Sequence, residues 1–319
     1  MNVYWFQDSK TGHLKQVQAL LDQLKKETEL SLTTIKHSDQ ESFSEMFSRR
    51  DQFNGQTILI GAGHDVYSSI LQAKKYLQKF ISKNIYSIAI LRPSYKLNSF
   101  DLIVAPEHDF RNRRLPKNVI SFKGSLAVTS QIPVDESKAI IAIGGPSKHY
   151  KFDQKIFMKQ LNYILSVYPK HEFKIFNSRR TPDTLNIKLK DNLSNYPNVK
   201  FIHLNSPESD TFQDSLNRSS LKFVTPDSSN LVFEALSVKG QTYLIQIESP
   251  TYRRIFGTKK IRESMNELVN TKRVGVVSIL NKKGGVDISK IESPALHFEP
   301  LAEVEKVSFS IMKFIDHQK

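Results

Sequence analysis

Short apolar runs, continuous more often than alternating, recur along this chain and constrain its fold more than any other feature. They are VYWF at Val3, TILIGAG at Thr57, YSIAIL at Tyr86, LIVAP at Leu102, AIIAIGG at Ala139, FKIF at Phe173, KFIHL at Lys200, LKFV at Leu221, TYLIQI at Thr242 and VGVVSI at Val274. A strand that is apolar on both faces is covered on both faces, which is the condition of a mainly parallel sheet. Helical patterns lie between the runs. Asp153 to Tyr168 starts on a capping Asp and puts Phe157, Leu161, Ile164, Leu165 and Tyr168 on one face. Asp65 to Ile81 does the same with Ile70, Leu71, Tyr76, Leu77 and Ile81. Strand alternating with helix over the whole length predicts α/β layers.

At 319 residues the chain suits two domains of middling size. The apolar pattern lapses at Gln131-Ile-Pro-Val-Asp-Glu-Ser137 and then resumes, so the expected division is residues 1–133 and residues 134–319. The closing helix, Leu301 to His317, mixes apolar and charged residues and is able to pack on either half.

Lys and Arg total 46 against 32 for Asp and Glu, a formal charge of +14. Such a surface suits anionic partners (nucleotides, phosphates, nucleic acid or acidic lipid) and serves equally as a solubility device. Specific nucleic-acid binding ranks last, because no reading module and no interleaved aromatics accompany the charge. The absence of cysteine removes disulfides, thiolate metal sites and Cys nucleophiles together. No secretory signal opens the sequence and no apolar run approaches the roughly 20 residues of a membrane span. The expected location is the cytoplasm, with room for a peripheral position at a membrane.

In open parallel sheets the ligand groups gather on loops at the carboxyl ends of strands. Here those loops are rich in Gly, hydroxyl, His and Arg. In the first half they are Gln7 to Gln16, with Gly12 and His13; Gly61 to Asp65; and Pro106 to Asp109, followed by Arg111, Arg113 and Arg114. In the second half, Gly144 and Gly145 permit close backbone approach to an anion, with Ser147 and Lys148 as further donors. Ser178, Arg179 and Arg180 add guanidinium groups suited to phosphate, or to ordinary surface ion pairs. Thr181-Pro182 reads as a helix start, Thr181 capping and Pro182 first in the helix. Asp227, Ser228 and Ser229 stand where a helix N-terminus meets the strand-end crevice, and this cluster reads either as a phosphate site or as a plain cap. Glu234, about two turns into that helix, would suit a pair of ribose hydroxyls, or would simply be solvated. His64-Asp65 and His108-Asp109 lack the helical spacing of a zinc pair, and no metal is expected.

The set Gly12-His13 with Gln16, Val104 to Asp109, Gly144 to His149, Ser178 to Pro182, and Thr225 to Asn230 with Glu234-Ala235 resembles the family of the plant mitochondrial-fission protein called elongated mitochondria and its bacterial relatives. The resemblance runs in order over nearly the whole chain. It implies two Rossmann-like domains with mainly parallel sheets facing across a cleft, similar to the GT-B glycosyltransferases, and a nucleotide-diphosphate sugar bound by the C-terminal half. In that comparison Glu234 grips the donor ribose and His13 is the general base for an acceptor hydroxyl, imidazole having the right intrinsic pKa. Glu107, His108 and Asp109 form a second catalytic candidate cluster. The first loop departs from the multiple glycines of the GT-B peptidoglycan enzyme, which weakens the comparison on the acceptor side. The implied activity is metal-independent glycosyl transfer without a further cofactor, to an acceptor that acidic lipid could carry. The rival implication is a non-catalytic nucleotide-sugar-binding or scaffold protein, since the plant relative acts by recruitment.

Overall fold

A computed structural model describes residues 1–37, 56–79, 84–110, 114–147, 150–247, 259–281, 287–295 and 299–317. The chain divides into two compact units, Met1–Val128 with Ala302–Lys319, and Thr129–Leu301. The first unit therefore ends at Val128 rather than at 133. The reason is local: Ser130 forms a parallel bridge with Val238, its N–H donates to the Ser237 carbonyl at 3.1 Å, and Thr129 Oγ1 donates to the Leu301 carbonyl at 3.4 Å.

The first unit runs β1 (Asn2–Gln7), α1 (Thr11–Glu27), β2 (Ser31–Lys36), β3 (Thr57–Ala62), α2 (His64–Leu77), β4 (Ile85–Ile90), β5 (Leu102–Pro106) and β6 (Val119–Phe122). Among the described residues these strands form one parallel sheet in the order β2-β1-β3-β4-β5-β6. Val3 and Trp5 of β1 face one buried cluster, with Val17, Leu20 and Leu24 of α1; Tyr4 and Phe6 face the other, with Val66, Tyr67 and Ile70 of α2. Both pleat faces are thus covered, which is why β1 reads as unbroken apolarity.

The second unit runs β7 (Asp135–Ala142), α3 (Gln154–Val167), β8 (Glu172–Phe176), α4 (Asp183–Leu193), β9 (Val199–Ile202), α5 (Phe212–Arg218), β10 (Ser219–Val224), α6 (Ser229–Leu236), β11 (Gln241–Ile245), α7 (Lys259–Asn270), β12 (Gly275–Asn281) and β13 (Asp287–Glu292). Its strand order is β13-β12-β11-β10-β7-β8-β9, parallel except for the antiparallel pair β12 and β13. Asp153 caps α3 as its sequence indicates, accepting from the N–H groups of Lys155 and Ile156 at 2.8 and 3.1 Å. A closing helix, α8 (Glu303–Asp316), returns to the first unit, where Val304, Val307, Ile311 and Ile315 join the cluster that holds α1, and Glu303 accepts from the Lys123 N–H at 2.8 Å.

The topology fixes where ligands can gather. In the first sheet the chain leaves β1 for β2 on one side and crosses back to β3 on the other. In the second, β8 and β9 lie on one side of β7 while β10, β11 and β12 lie on the other. Loops diverge at such reversals and leave a crevice at the carboxyl edge. Among the described residues no helix is long and apolar enough to cross a membrane.

Candidate functional site

At the β7/β10 reversal of the second unit, three strand-end loops converge. The Gly144 N–H donates to Thr225 Oγ1 at 2.8 Å, and the Gly145 N–H donates to Asp227 Oδ2 at 3.0 Å. From the end of β8, Thr181 Oγ1 and Ser178 Oγ donate to the Gly144 carbonyl at 2.6 and 3.2 Å. Arg180 pairs with Asp227 Oδ2 at 2.7 Å; the Asp227 side chain is 0% exposed and that of Arg180 41%. Neither glycine tolerates a side chain: a Cβ on Gly144 would land on the Asp227 carboxylate, and one on Gly145 on the Arg180 carbonyl. Close backbone approach is therefore a real property of this loop.

Two local readings change. Thr181 is not the cap of α4; Pro182 holds that position and the helix begins at Asp183, while the Thr181 hydroxyl is drawn to the Gly144 carbonyl, binding loop to loop. Asp227 is not an N-cap either. Ser228 precedes α6 without a side-chain cap bond, and Asp227 turns back to Gly145 and Arg180. Burial raises the Asp227 pKa against the opposing pull of Thr225, Arg180 and the Gly145 amide. Tyr150, buried nearby, is pushed up to about 12, first by burial and then by the Asp227 charge.

Of the other second-unit candidates, Ser147 and Tyr150 bond each other through backbone and hydroxyl at 3.2 Å. Ser228, Ser229 and Glu234 are half-buried at the start and second turn of α6, and Arg179 is exposed. Lys148 lies outside the described residues, as do Arg111 and Arg113 of the first unit.

The first unit carries its own constellation at the β1/β3 reversal. His13 lies in the first turn of α1, not on a loop; the strand-end loop is only Asp8 to Lys10. Its Nδ1 stands 2.6 Å from Asp8 Oδ2, with the Asp8 side chain 1% exposed and that of His13 22%. A carboxylate only accepts, so Nδ1 carries a proton, and in the neutral ring Nε2 is then the basic nitrogen. The Lys10 N–H donates to Asp8 Oδ1 at 3.0 Å, and Lys10 Nζ reaches Asp65 at 3.3 Å. Gly63, at φ +97°, backs the pair: a Cβ there would strike both Asp8 Oδ2 and the His13 ring. Asp8 and Gly63 both sit in strand-end loops of the sequence, and position after the strand was the signal that could have singled them out.

Glu107, His108 and Asp109 form a 3-10 turn directly after β5, Glu107 exposed and the other two half-buried. Asp109 and Asp8 both act electrostatically on Tyr67, whose pKa burial raises strongly and whose hydroxyl donates to the Ile90 and Leu91 carbonyls at 2.7 and 2.9 Å. The β5 cluster and the Asp8–His13 pair thus share one edge of the sheet. Among the described residues no three His, Asp or Glu side chains gather as a metal-holding group.

The chain is similar in fold to UDP-GlcNAc 2-epimerase from Neisseria meningitidis bound to UDP-GlcNAc, with TM-score 0.53, 14% identity, and 99% of this chain and 100% of that chain covered. It is also similar to UDP-GlcNAc 2-epimerase from Methanocaldococcus jannaschii, with TM-score 0.51, 10% identity, and 98% and 100% covered. The E. coli ADP-heptose lipopolysaccharide heptosyltransferase II aligns with TM-score 0.48 and 9% identity over 99% of each chain. None of the curated proteins matches the sequence. The two mainly parallel α/β units are GT-B-like. Residues 11–314 match the model of the family described as Mitochondrial fission ELM1, and the chain belongs to that family.

Proposed function

We propose that the protein is a metal-independent glycosyltransferase that binds a nucleotide-diphosphate sugar on its second unit and activates an acceptor hydroxyl with His13. The observation that carries this reading is the convergence of three loops at the β7/β10 reversal: the Gly145 N–H and the Arg180 guanidinium meet on the buried Asp227 carboxylate, and the hydroxyls of Ser178, Thr181 and Thr225 bond the backbone of Gly144 beside it. These are the groups that hold phosphate elsewhere in protein chemistry, in the place where open parallel sheets hold it. The UDP-GlcNAc bound to the Neisseria enzyme of similar fold supports a nucleotide-diphosphate sugar as the ligand class. In this reading Arg179, Arg180, Ser228 and Ser229 stabilise the diphosphate leaving group and Glu234 takes the ribose hydroxyls. The formal charge of +14 favours an acceptor carried on an acidic lipid surface.

A panel of nucleotide sugars tested by thermal shift should contain one that stabilises the native state by mass action. Calorimetry with that donor should then show Glu234→Ala weakened by about tenfold or more, the loss of about 1.4 kcal/mol of hydrogen bonding to a charged group. An unchanged affinity removes the ribose assignment, and silence across the whole panel removes the donor site. A donor that binds but is never turned over would favour a binding or recruiting role over catalysis.

A further inference from the structure

The second unit's cradle already holds an anion, and that anion belongs to the chain. We propose that Asp227 is a resident competitor: its carboxylate occupies the position of a ligand phosphate, and a diphosphate binds by exchanging with it on the Gly145 amide and the Arg180 guanidinium. This rests on the phosphate-site reading above and adds a residue that works against the ligand.

Three observations carry it. The two donors best suited to a phosphate are both engaged by Asp227 Oδ2, at 3.0 Å from Gly145 N and 2.7 Å from Arg180. The carboxylate is also unevenly satisfied. Its side chain is fully buried, with the Gly145 amide and Arg180 on Oδ2 and the Thr225 hydroxyl also favouring its charge, yet Oδ1 itself makes no hydrogen bond, although an ionised carboxylate has room for about four. An unmade bond on a buried charged oxygen is costly, so the group is held in place weakly. Finally, the space is closed at the size of a carboxylate: a single added carbon on Gly144 would collide with Asp227. A phosphate enters only if Asp227 turns out, and its neighbour Ser228 has extended backbone outside α6, so the helix need not move.

The test is calorimetry on the full chain with inorganic pyrophosphate as probe. Exchange predicts that Asp227→Asn, which keeps the shape and removes the charge, binds pyrophosphate about tenfold tighter than the wild type or better, because the fraction of competent sites rises. Asp227→Ser should gain likewise, which guards against a peculiarity of Asn, and Arg180→Gln added to Asp227→Asn should abolish the gain. Equal or weaker binding by both single variants, each melting as the wild type does, overturns the proposal and makes Asp227 a fixed part of the loop. The nucleotide-sugar panel separates this from the functional reading. Tighter pyrophosphate binding in Asp227→Asn with no sugar nucleotide bound by either protein sinks the donor and leaves the exchange standing. A sugar nucleotide bound by the wild type without any gain in the variants sinks the exchange alone.

Discussion

Asp8→Asn should lower the turnover of the proposed transfer by about 10²- to 10⁴-fold, the span associated with a positioned general base, while donor affinity stays where it is. The geometry sets the size of the effect. Asp8 is buried, accepts from the Lys10 N–H and from His13 Nδ1, and touches nothing assigned to the donor. Its contribution is to fix which ring nitrogen carries the proton. Asn presents an amide that can satisfy Nδ1 as an acceptor or as a donor, so the tautomer with a basic Nε2 ceases to be enforced. His13→Ala removes the base outright and should lose a comparable factor. The double variant should be no worse than His13→Ala alone, because two residues acting as one unit do not lose their contributions additively. Steady-state kinetics places the loss in kcat, and nitrogen-edited NMR of the imidazole reports the tautomer independently of activity. Full turnover in Asp8→Asn with the wild-type tautomer would end the positioning role. Full turnover in His13→Ala would end that of the base.

How much of this was readable beforehand depends on what each residue's neighbours are. The central strands were legible because they are buried on both faces; β2, with the pattern SLTTIK at the sheet edge and mostly exposed, and β6 and β13, also at edges, left no continuous apolar signal. The rule that ligands gather at strand ends points to His13, Gly144, Gly145, Ser178, Arg180 and Asp227 among its candidates, and these residues lie at the carboxyl edges of their sheets. It could not assign their partners. That Asp227 turns back onto Gly145 instead of capping α6, and that Thr181 ties β8 to β7 instead of capping α4, are decisions taken by residues distant in sequence. The Asp8–His13 pair escaped for another reason: the first turn of α1 is polar and lacks a side-chain cap, so the helix start is invisible and the pair reads as loop.

Lys222 is the residue whose role no local pattern announces, and it carries the largest expected effect on stability. It lies in the middle of β10 with 0% exposure, in a run that reads as an ordinary core strand. Its Nζ donates to the carbonyls of Val238 at 3.1 Å and Gly240 at 3.0 Å, and to that of Lys239, so one ammonium gathers the turn between α6 and β11. Burial pulls its pKa down from 10.5 to about 7. Between those values the unfolded chain binds more protons than the folded one, so the contribution of Lys222 to stability improves as pH rises from about 7 towards 10.5 and is least favourable below 7. Lys222→Ala should cost about 2–5 kcal/mol, the range for emptying a large buried site, with the bared carbonyls adding to the cavity. Lys222→Met keeps the volume and removes the charge, so near pH 7 it should cost far less, a buried charge exchanged for an apolar chain of like size. The deficit of Lys222→Met should then grow between pH 7 and pH 10, because only the wild type gains there. Denaturant unfolding of both proteins across that range isolates the effect in their difference, since every other titrating group is common to both. Parallel curves would mean that the three carbonyls hold the ammonium at its ordinary pKa, and that Lys222 acts as a clamp without being a burdened charge.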